Sequence, residues 1–238
     1  MYQPRTYRRR TGSADLVSFR VCVAETDLFI SAASDLSRQA LQAVQAVRAL
    51  IEREIALDRR FLTSLEPLPH RPGCHAVLRG MYEAAQAAGV GPMAAVAGAV
   101  AEHVSRALLP QSEQIVVENG GDIYIISQLS RVIGIQAGES PLSGRLGLAL
   151  PPGSLGVCTS SGTVGHSLSL GRADAAVVAA DDGALADALA TALGNRVRSE
   201  ADIQPALDWI QTVPGVRQAL LMVGEALGVW GEFELTPL

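Results

Sequence analysis

Apolar positions along the chain follow two rhythms, and the switches between them predict the elements. Residues 16–31, "LVSFRVCVAETDLFIS", alternate and read as two strands around a short turn at Glu25–Asp27. A helical period follows, with Leu36, Ala40, Val44, Val47, Ile51 and Ile55 stepping by three or four, and Ser34 or Asp35 placed to cap it. "LEPLPHRPG" (65–73) interrupts the period with three prolines and a glycine, which predicts an exposed loop. Two more helices are expected at 74–89, closed by Gly89, and at 91–109, with Pro92 in the first turn. The second is slim, carrying Ala94, Ala95, Ala97, Gly98, Ala99 and Ala101. Small residues of this kind serve tight packing or the approach of a ligand.

From Ile115 the period shortens to that of strands: "QIVVENGGDIYIIS", "RVIGIQAG", "RLGLAL" and "ADAAVVAA". "DDGALADALATALG" (181–194) has acids at its start, strong helix formers inside and a closing glycine, the pattern of a helix. "IQPALDWI" (203–210) is another, and 216–235 finishes in strands around Gly224 and Gly231. Strands, helices, strands, helix and strands again predict a layered α+β fold with largely antiparallel sheets packed on helices. It spans 1–238 as a single domain or as two related α+β halves meeting near residue 110.

Composition narrows the chemistry. Of 238 residues, 48 % are hydrophobic and only 4 % aromatic, so the core must be built mainly from Ala, Val, Leu and Ile. All 19 basic residues are arginine. This excludes a Schiff-base lysine, a P-loop lysine and a lysine general base. A net charge of −5 without a basic stripe argues against a nucleic-acid partner. Cys22, Cys74 and Cys158 are odd in number and lack metal-ligand spacing, as expected of reduced thiols. No apolar run reaches the ~18 residues of a membrane span, and no apolar segment follows the early arginines as in a signal peptide. The expectation is a cytoplasmic protein with no membrane partner. The amount of apolar helix surface suggests a homodimer.

Three polar stretches stand out. Glu118-Asn119-Gly120-Gly121-Asp122 lies between apolar runs, where the glycines suit a hairpin turn. The turn does not account for two acids and an amide gathered at a strand end. "CTSSGTVGHSLSLG" (158–171) is rich in hydroxyls and glycine around His166. It is either a surface turn or a loop whose N–H groups wrap an oxyanion, with His166 as a candidate base near neutral pH. A serine-hydrolase triad of Ser160 or Ser161, His166 and Asp174 lacks the G-x-S-x-G elbow. In "ADALATAL", Asp187 and Thr191 share one helical face. They are either an early-helix acid with a chance neighbour or two hard oxygen ligands for Mg²⁺.

Taken in order, "GVGPMAAVAGAVAE", "VENGGDIY", "TSSGTVGHSLSLG" and "LADALATALGN" resemble the motif set of the ApbE family, FAD:protein FMN transferases, and most closely a small group of ApbE-related proteins. The resemblance is strongest from Gly89 to Asn195. It implies a duplicated, T-fold-like α+β architecture and a cleft for a phosphate-bearing small molecule, FAD or another flavin nucleotide. It also implies Mg²⁺ on Asp187 and Thr191, supported by a backbone carbonyl near Val96, Ala97 and Gly98. Asn119, Gly120, Gly121 and Asp122, with Thr159, Ser160, Ser161 and Gly162, would line the nucleotide site. An acceptor protein would be the partner in FMN transfer. Two departures accompany it. The lysine of the family's Ala-Lys-Gly motif is Ala97 here, and the segment 163–186 is short and lacks the family's proline, so that His166 matches the family's histidine only in type.

Overall fold

The computed structural model describes residues 15–162 and 170–238. Strands β1 (Val17–Val23) and β2 (Thr26–Ala32) form the first hairpin. Its turn is tighter than the sequence suggests. Val23 pairs with Thr26, Ala24 takes a positive φ of 50°, and Asp27 already belongs to β2, where it accepts an ion pair from Arg20 at 2.7 Å. Helix α1 (Ser37–Leu57) buries Ala40, Ala43, Val44, Val47 and Ile51, the stripe that the spacing predicts. Asp35, and not Ser34, serves its N-terminus by accepting the Ser37 N–H at 2.9 Å.

A short helix α2 (Arg60–Thr63) leads into the proline-rich loop, and α3 (Ala76–Ala88) ends at Gly89 with φ 72°. The loop is tied back to α1 through Glu54, which is 1 % exposed. Arg71 forms an ion pair with this carboxylate, and the Tyr82 hydroxyl donates to it at 2.8 Å. Arg71 holds the Glu54 carboxyl below the usual range. Replacing Tyr82 with phenylalanine removes one donor to a buried charge. Tyr82→Phe is expected to cost about 2 kcal/mol, read in a denaturant titration as an unchanged slope and a lower midpoint.

The stretch expected as one helix from 91 to 109 begins as a 3-10 turn at Pro92–Ala95 and becomes α4 (Val96–Leu108). Then come β3 (Ile115–Asn119), β4 (Asp122–Ser127), β5 (Arg131–Gly134) and β6 (Leu146–Leu150). Next is β7 (Gly153–Ser160), a strand that the hydrophobic pattern does not reveal: "GSLGVCTS" is small and polar, yet sits in the middle of the sheet. The chain continues with β8 (Ala175–Ala180), α5 (Gly183–Asn195), α6 (Ile203–Ile210), β9 (Val216–Val223), β10 (Ala226–Gly231) and β11 (Leu235–Pro237).

Eight strands form one sheet in the order β1-β2-β3-β4-β7-β8-β9-β10, antiparallel throughout, and β11-β6-β5 form a second. A unit of two strands, helices and two strands therefore occurs twice, from β1 to β4 and from β7 to β10. The change of unit falls between Ser127 and Gly153, later in the chain than residue 110. The helices cover one face of the large sheet, packing Val44, Phe61, Val104, Leu189 and Leu193 on Leu28, Ile30, Val117 and Tyr124. The small sheet covers part of the other face, packing Ile133, Leu148 and Leu150 on Ile123, Ile125, Val157 and Leu220. At about 1.5–3 kcal/mol for each fully buried aliphatic side chain, these two layers supply the main driving force for folding.

Candidate functional site

The polar stretches converge on the helix-covered face of the large sheet, where the β3–β4 turn and the end of β7 meet α4 and α5. Asn119 and Asp122 pair across a two-residue turn whose glycines take φ values of 72° and 113°. The turn thus accounts for Gly120 and Gly121. Its flanking side chains do more. The Asn119 amide donates to the Ala97 carbonyl at the start of α4, at 3.2 Å, and Glu118 accepts the Gly121 N–H at 3.1 Å.

Strand alternation turns Asp122 and Tyr124 toward the helices, and Tyr124 lies in the helix-side core. Asp122 is half-buried and accepts the Thr159 N–H from β7 at 3.2 Å. Burial pushes its carboxyl up to about 7; the Thr159 N–H and the Cys158 thiol oppose this, and the Glu118 charge adds to it. Asp187, on the second turn of α5, is 9 % exposed and accepts the Gly98 N–H at 2.9 Å. Burial, and then the charge of Asp122, raise it well above the carboxylate range. Two acids thus share one buried neighbourhood that disfavours the ionised form of both.

The slimness of α4 has a packing cause. A Cβ on Gly98 would lie 2.0 Å from the Gly183 carbonyl oxygen, and one on Gly183 would lie 2.7 Å from the Gly98 oxygen. Gly156 of β7 meets the Gly183 Cα in the same way. This three-glycine contact lets the Gly98 N–H reach Asp187, so the packing and site readings of the small residues describe one feature. Glu102 fixes the first turn of α5 by accepting the Gly183 N–H at 2.8 Å. Its carboxyl is raised, first by burial and then by Asp182.

The remaining expected residues lie nearby or outside. Thr191 is half-buried, one turn beyond Asp187 on the same helix. Thr159 contributes its N–H, while Cys158 belongs to the helix-side core and Ser160 faces Gly194 of α5. Gly162 leaves β7 with its N–H on the Ala173 carbonyl at 2.8 Å, just after Ser161. His166 lies outside the described residues. Asp174, the acid of the hydrolase alternative, accepts the Gly224 N–H at the β9–β10 turn at 2.7 Å. Cys158 and Glu102 were not singled out from the sequence. Cys158 adjoins "TSSG", and recognising β7 as a strand would have placed it beside Asp122.

Among the described residues no group of three His, Cys, Asp or Glu side chains is arranged to hold a metal ion. The carboxylates of Asp122 and Asp187 and the Thr191 hydroxyl, one turn beyond Asp187, are nonetheless the hard oxygen donors that suit Mg²⁺, which takes few protein ligands and keeps water or phosphate in its remaining positions. Among the described residues no single helix is long and apolar enough to cross a membrane; α3 and the segment 92–108 pass such a test only as a pair bent by 108°.

A twice-repeated strand–helix–strand unit with this site on its helical face defines an ApbE-like fold. The apo flavinyl transferase ApbE of Pseudomonas stutzeri superposes with a TM-score of 0.59 at 14 % identity, covering 93 % of this chain and 94 % of that one. The flavin transferase ApbE of Vibrio cholerae gives 0.57 at 12 % identity, covering 90 % and 96 %. Residues 8–224 match the family profile described as "AbpE bacteria". A UPF0280 protein of Methanocella arvoryzae is 39 % identical over 234 residues, 97 % of this chain and 92 % of that protein. One from Methanopyrus kandleri is 41 % identical over 223 residues, 91 % of each. The chain belongs to this ApbE-related UPF0280 family.

Proposed function

We propose that the protein binds a flavin nucleotide together with Mg²⁺ at the Asp122–Asp187 site. The observation that carries this reading is a pair of carboxylates on facing elements, Asp187 accepting the Gly98 N–H of α4 and raised by burial and by the charge of Asp122, and Asp122 accepting the Thr159 N–H of β7. A divalent cation there offsets charge that the protein itself leaves uncompensated, and it supplies the positive charge that a lysine-free chain lacks for a pyrophosphate. Asp187 and Thr191 would hold the metal, with Asp122 and the Ala97 carbonyl region beside them. The Asn119–Asp122 turn and Thr159, Ser160, Ser161 and Gly162 at the end of β7 would face the phosphates. FAD, in the cytoplasm, is the nucleotide of first choice.

Transfer of FMN to an acceptor protein is the second reading, favoured by the fold shared with proteins named flavin transferases. That reaction needs a base for the acceptor hydroxyl. His166 and Asp122, the latter titrating at about 7, are the candidates. Ala97 in place of the family's lysine weighs toward binding without transfer.

Thermal melts of the metal-stripped protein with FAD, FMN, ADP or buffer, each with and without Mg²⁺, separate the outcomes. At ~100 times its dissociation constant a ligand stabilises by about 2.7 kcal/mol, a rise of roughly 5–10 °C for a chain of this length. The rise is expected with FAD plus Mg²⁺ and is lost in Asp187→Ala. AMP release with FMN retained covalently on an acceptor protein would establish transfer, whereas AMP release with free FMN would mean hydrolysis. No shift with any nucleotide would remove flavin chemistry from this fold.

A further inference from the structure

The large sheet ends in two very different edges. At one end β1 points Ser18, Arg20 and Cys22 outward, with Arg20 ion-paired to Asp27. Charge on an edge strand is a common guard against further pairing. At the other end β10 reads Ala-Leu-Gly-Val-Trp-Gly, six residues without a charge. Its backbone pairs with β9 on one side, and among the described residues Ala226–Trp230 make no backbone hydrogen bond beyond that ladder.

Both faces of this edge are asymmetric. On the helix side α6 presses down so closely that a Cβ on Gly228 would lie 2.2 Å from Ile203. On the opposite side Leu227 and Val229 are 39 % and 41 % exposed. Their register neighbours on β9 are Met222 and Leu220, both buried in the core beneath the small sheet. The apolar strip of that core therefore runs out past the small sheet and stops at an uncovered strand.

We propose that a second copy of this chain covers β10, by antiparallel pairing of β10 with β10 across a two-fold axis at Gly228. The sequence is self-complementary in that register. Leu227 of one copy falls opposite Val229 of the other, and Ala226 opposite Trp230, all without opposed charges. Centring on Gly228 places the residue that α6 constrains on the axis itself, where no side chain has to fit. Glu232, just beyond the strand, is already neutralised by Arg217 at 2.7 Å. The two large sheets become one continuous sheet, and each copy uses the same patch, as a closed two-fold dimer requires. The cross-strand pairs extend the Leu220–Met222 strip over the seam.

Sedimentation of the full chain over a wide concentration range is the test, with Leu227→Lys and Val229→Lys alongside. The wild type is expected to dimerise. Both variants, substituted at exposed positions and so keeping the wild-type circular dichroism, are expected to weaken the dimer by about tenfold or more. In a Cys22→Ser background, mixing Leu227→Cys with Val229→Cys is expected to give an intermolecular disulfide at those two positions on oxidation. A monomer at every concentration overturns the proposal. So does a dimer that survives both lysine variants, which would place the contact on another surface or on the N-terminal residues. Cross-links at other positions would overturn the Gly228 register.

Discussion

The metal-free protein is expected to lose stability as pH rises from about 4 to about 7, and Mg²⁺ is expected to restore it. The sign follows from proton linkage. Asp122 moves from an ordinary value of 3.8 to about 7 on folding, so in that window the folded state holds a proton that the unfolded chain has released. Stability contributed by that proton is complete below the unfolded value and is lost progressively up to the folded one. About three units correspond to about 4 kcal/mol. Asp187, also raised, acts in the same direction. Paired acids such as Glu54 and Asp15, whose carboxyls are lowered, lose their contribution only as pH falls toward and below their ordinary values of 4.5 and 3.8, at the acid end of this window. His103, lowered by burial and by His75, works the other way through the histidine range. Asp187→Asn separates the contributions, because asparagine keeps an acceptor for the Gly98 N–H and carries no charge. That variant should be more stable than the wild type at neutral pH, with a flatter pH profile and no response to Mg²⁺. Calorimetric titration of Mg²⁺ in buffers of different ionisation enthalpy should show proton release. A flat profile without proton release would mean that the two acids do not form a cation site.

Much of the scaffold behind this behaviour is legible in the chain. The stripe from Ala40 to Ile51, the glycine after Ala88 and the Asn-Gly-Gly-Asp turn are local signals, set by periods of 3.6 and 2 and by positive φ. Strand β7 escapes them. Its Gly156 exists because α5 passes so close that a Cβ would meet Gly183 at 2.8 Å, so tertiary packing selected small residues where strand propensity favours branched ones. The 3-10 start of α4 escapes for a related reason. The composition of 91–109 is helical throughout, but Pro92 and the contact of Gly91 with the Ser64 backbone shape its first turn.

The site divides along the same line. Asp122 and Asp187 were readable as acids in suggestive places, and their ordered motifs carried the resemblance. Their shared setting was not, because the bonds that build it join distant residues: Gly98 to Asp187 across 89 positions, Thr159 to Asp122 across 37, and Gly183 to Glu102 across 81. The homodimer expected from helix surface is proposed on β10 instead, since the main apolar stripes of the helices are buried against the sheet. Leu227 and Val229 differ from the other exposed apolar side chains in lying together on an uncharged edge strand, in register with buried Met222 and Leu220.

Gly98→Ala should be among the most damaging single-methyl additions in the protein. The new Cβ would sit 2.0 Å from the Gly183 oxygen and 2.9 Å from the Asp187 Cβ, one of them backbone and neither the end of a flexible side chain. Relief requires α4 and α5 to separate. Overpacking of a rigid core costs about 3 kcal/mol at its upper range, a fall of about 6–12 °C for a chain of this length. Gly73→Ala is the natural control. Its φ of 74° carries backbone strain of about 1 kcal/mol, but nothing lies within 4 Å of the added methyl. The two substitutions should therefore differ in melting temperature and also in function. Separating α4 from α5 draws the Gly98 N–H away from Asp187, so Gly98→Ala should weaken the Mg²⁺ response while Gly73→Ala leaves it intact. Equal melting temperatures would mean that the helices part at little cost. A full Mg²⁺ response in Gly98→Ala would mean that the cation does not depend on the α4–α5 contact, and the three glycines would then serve packing alone.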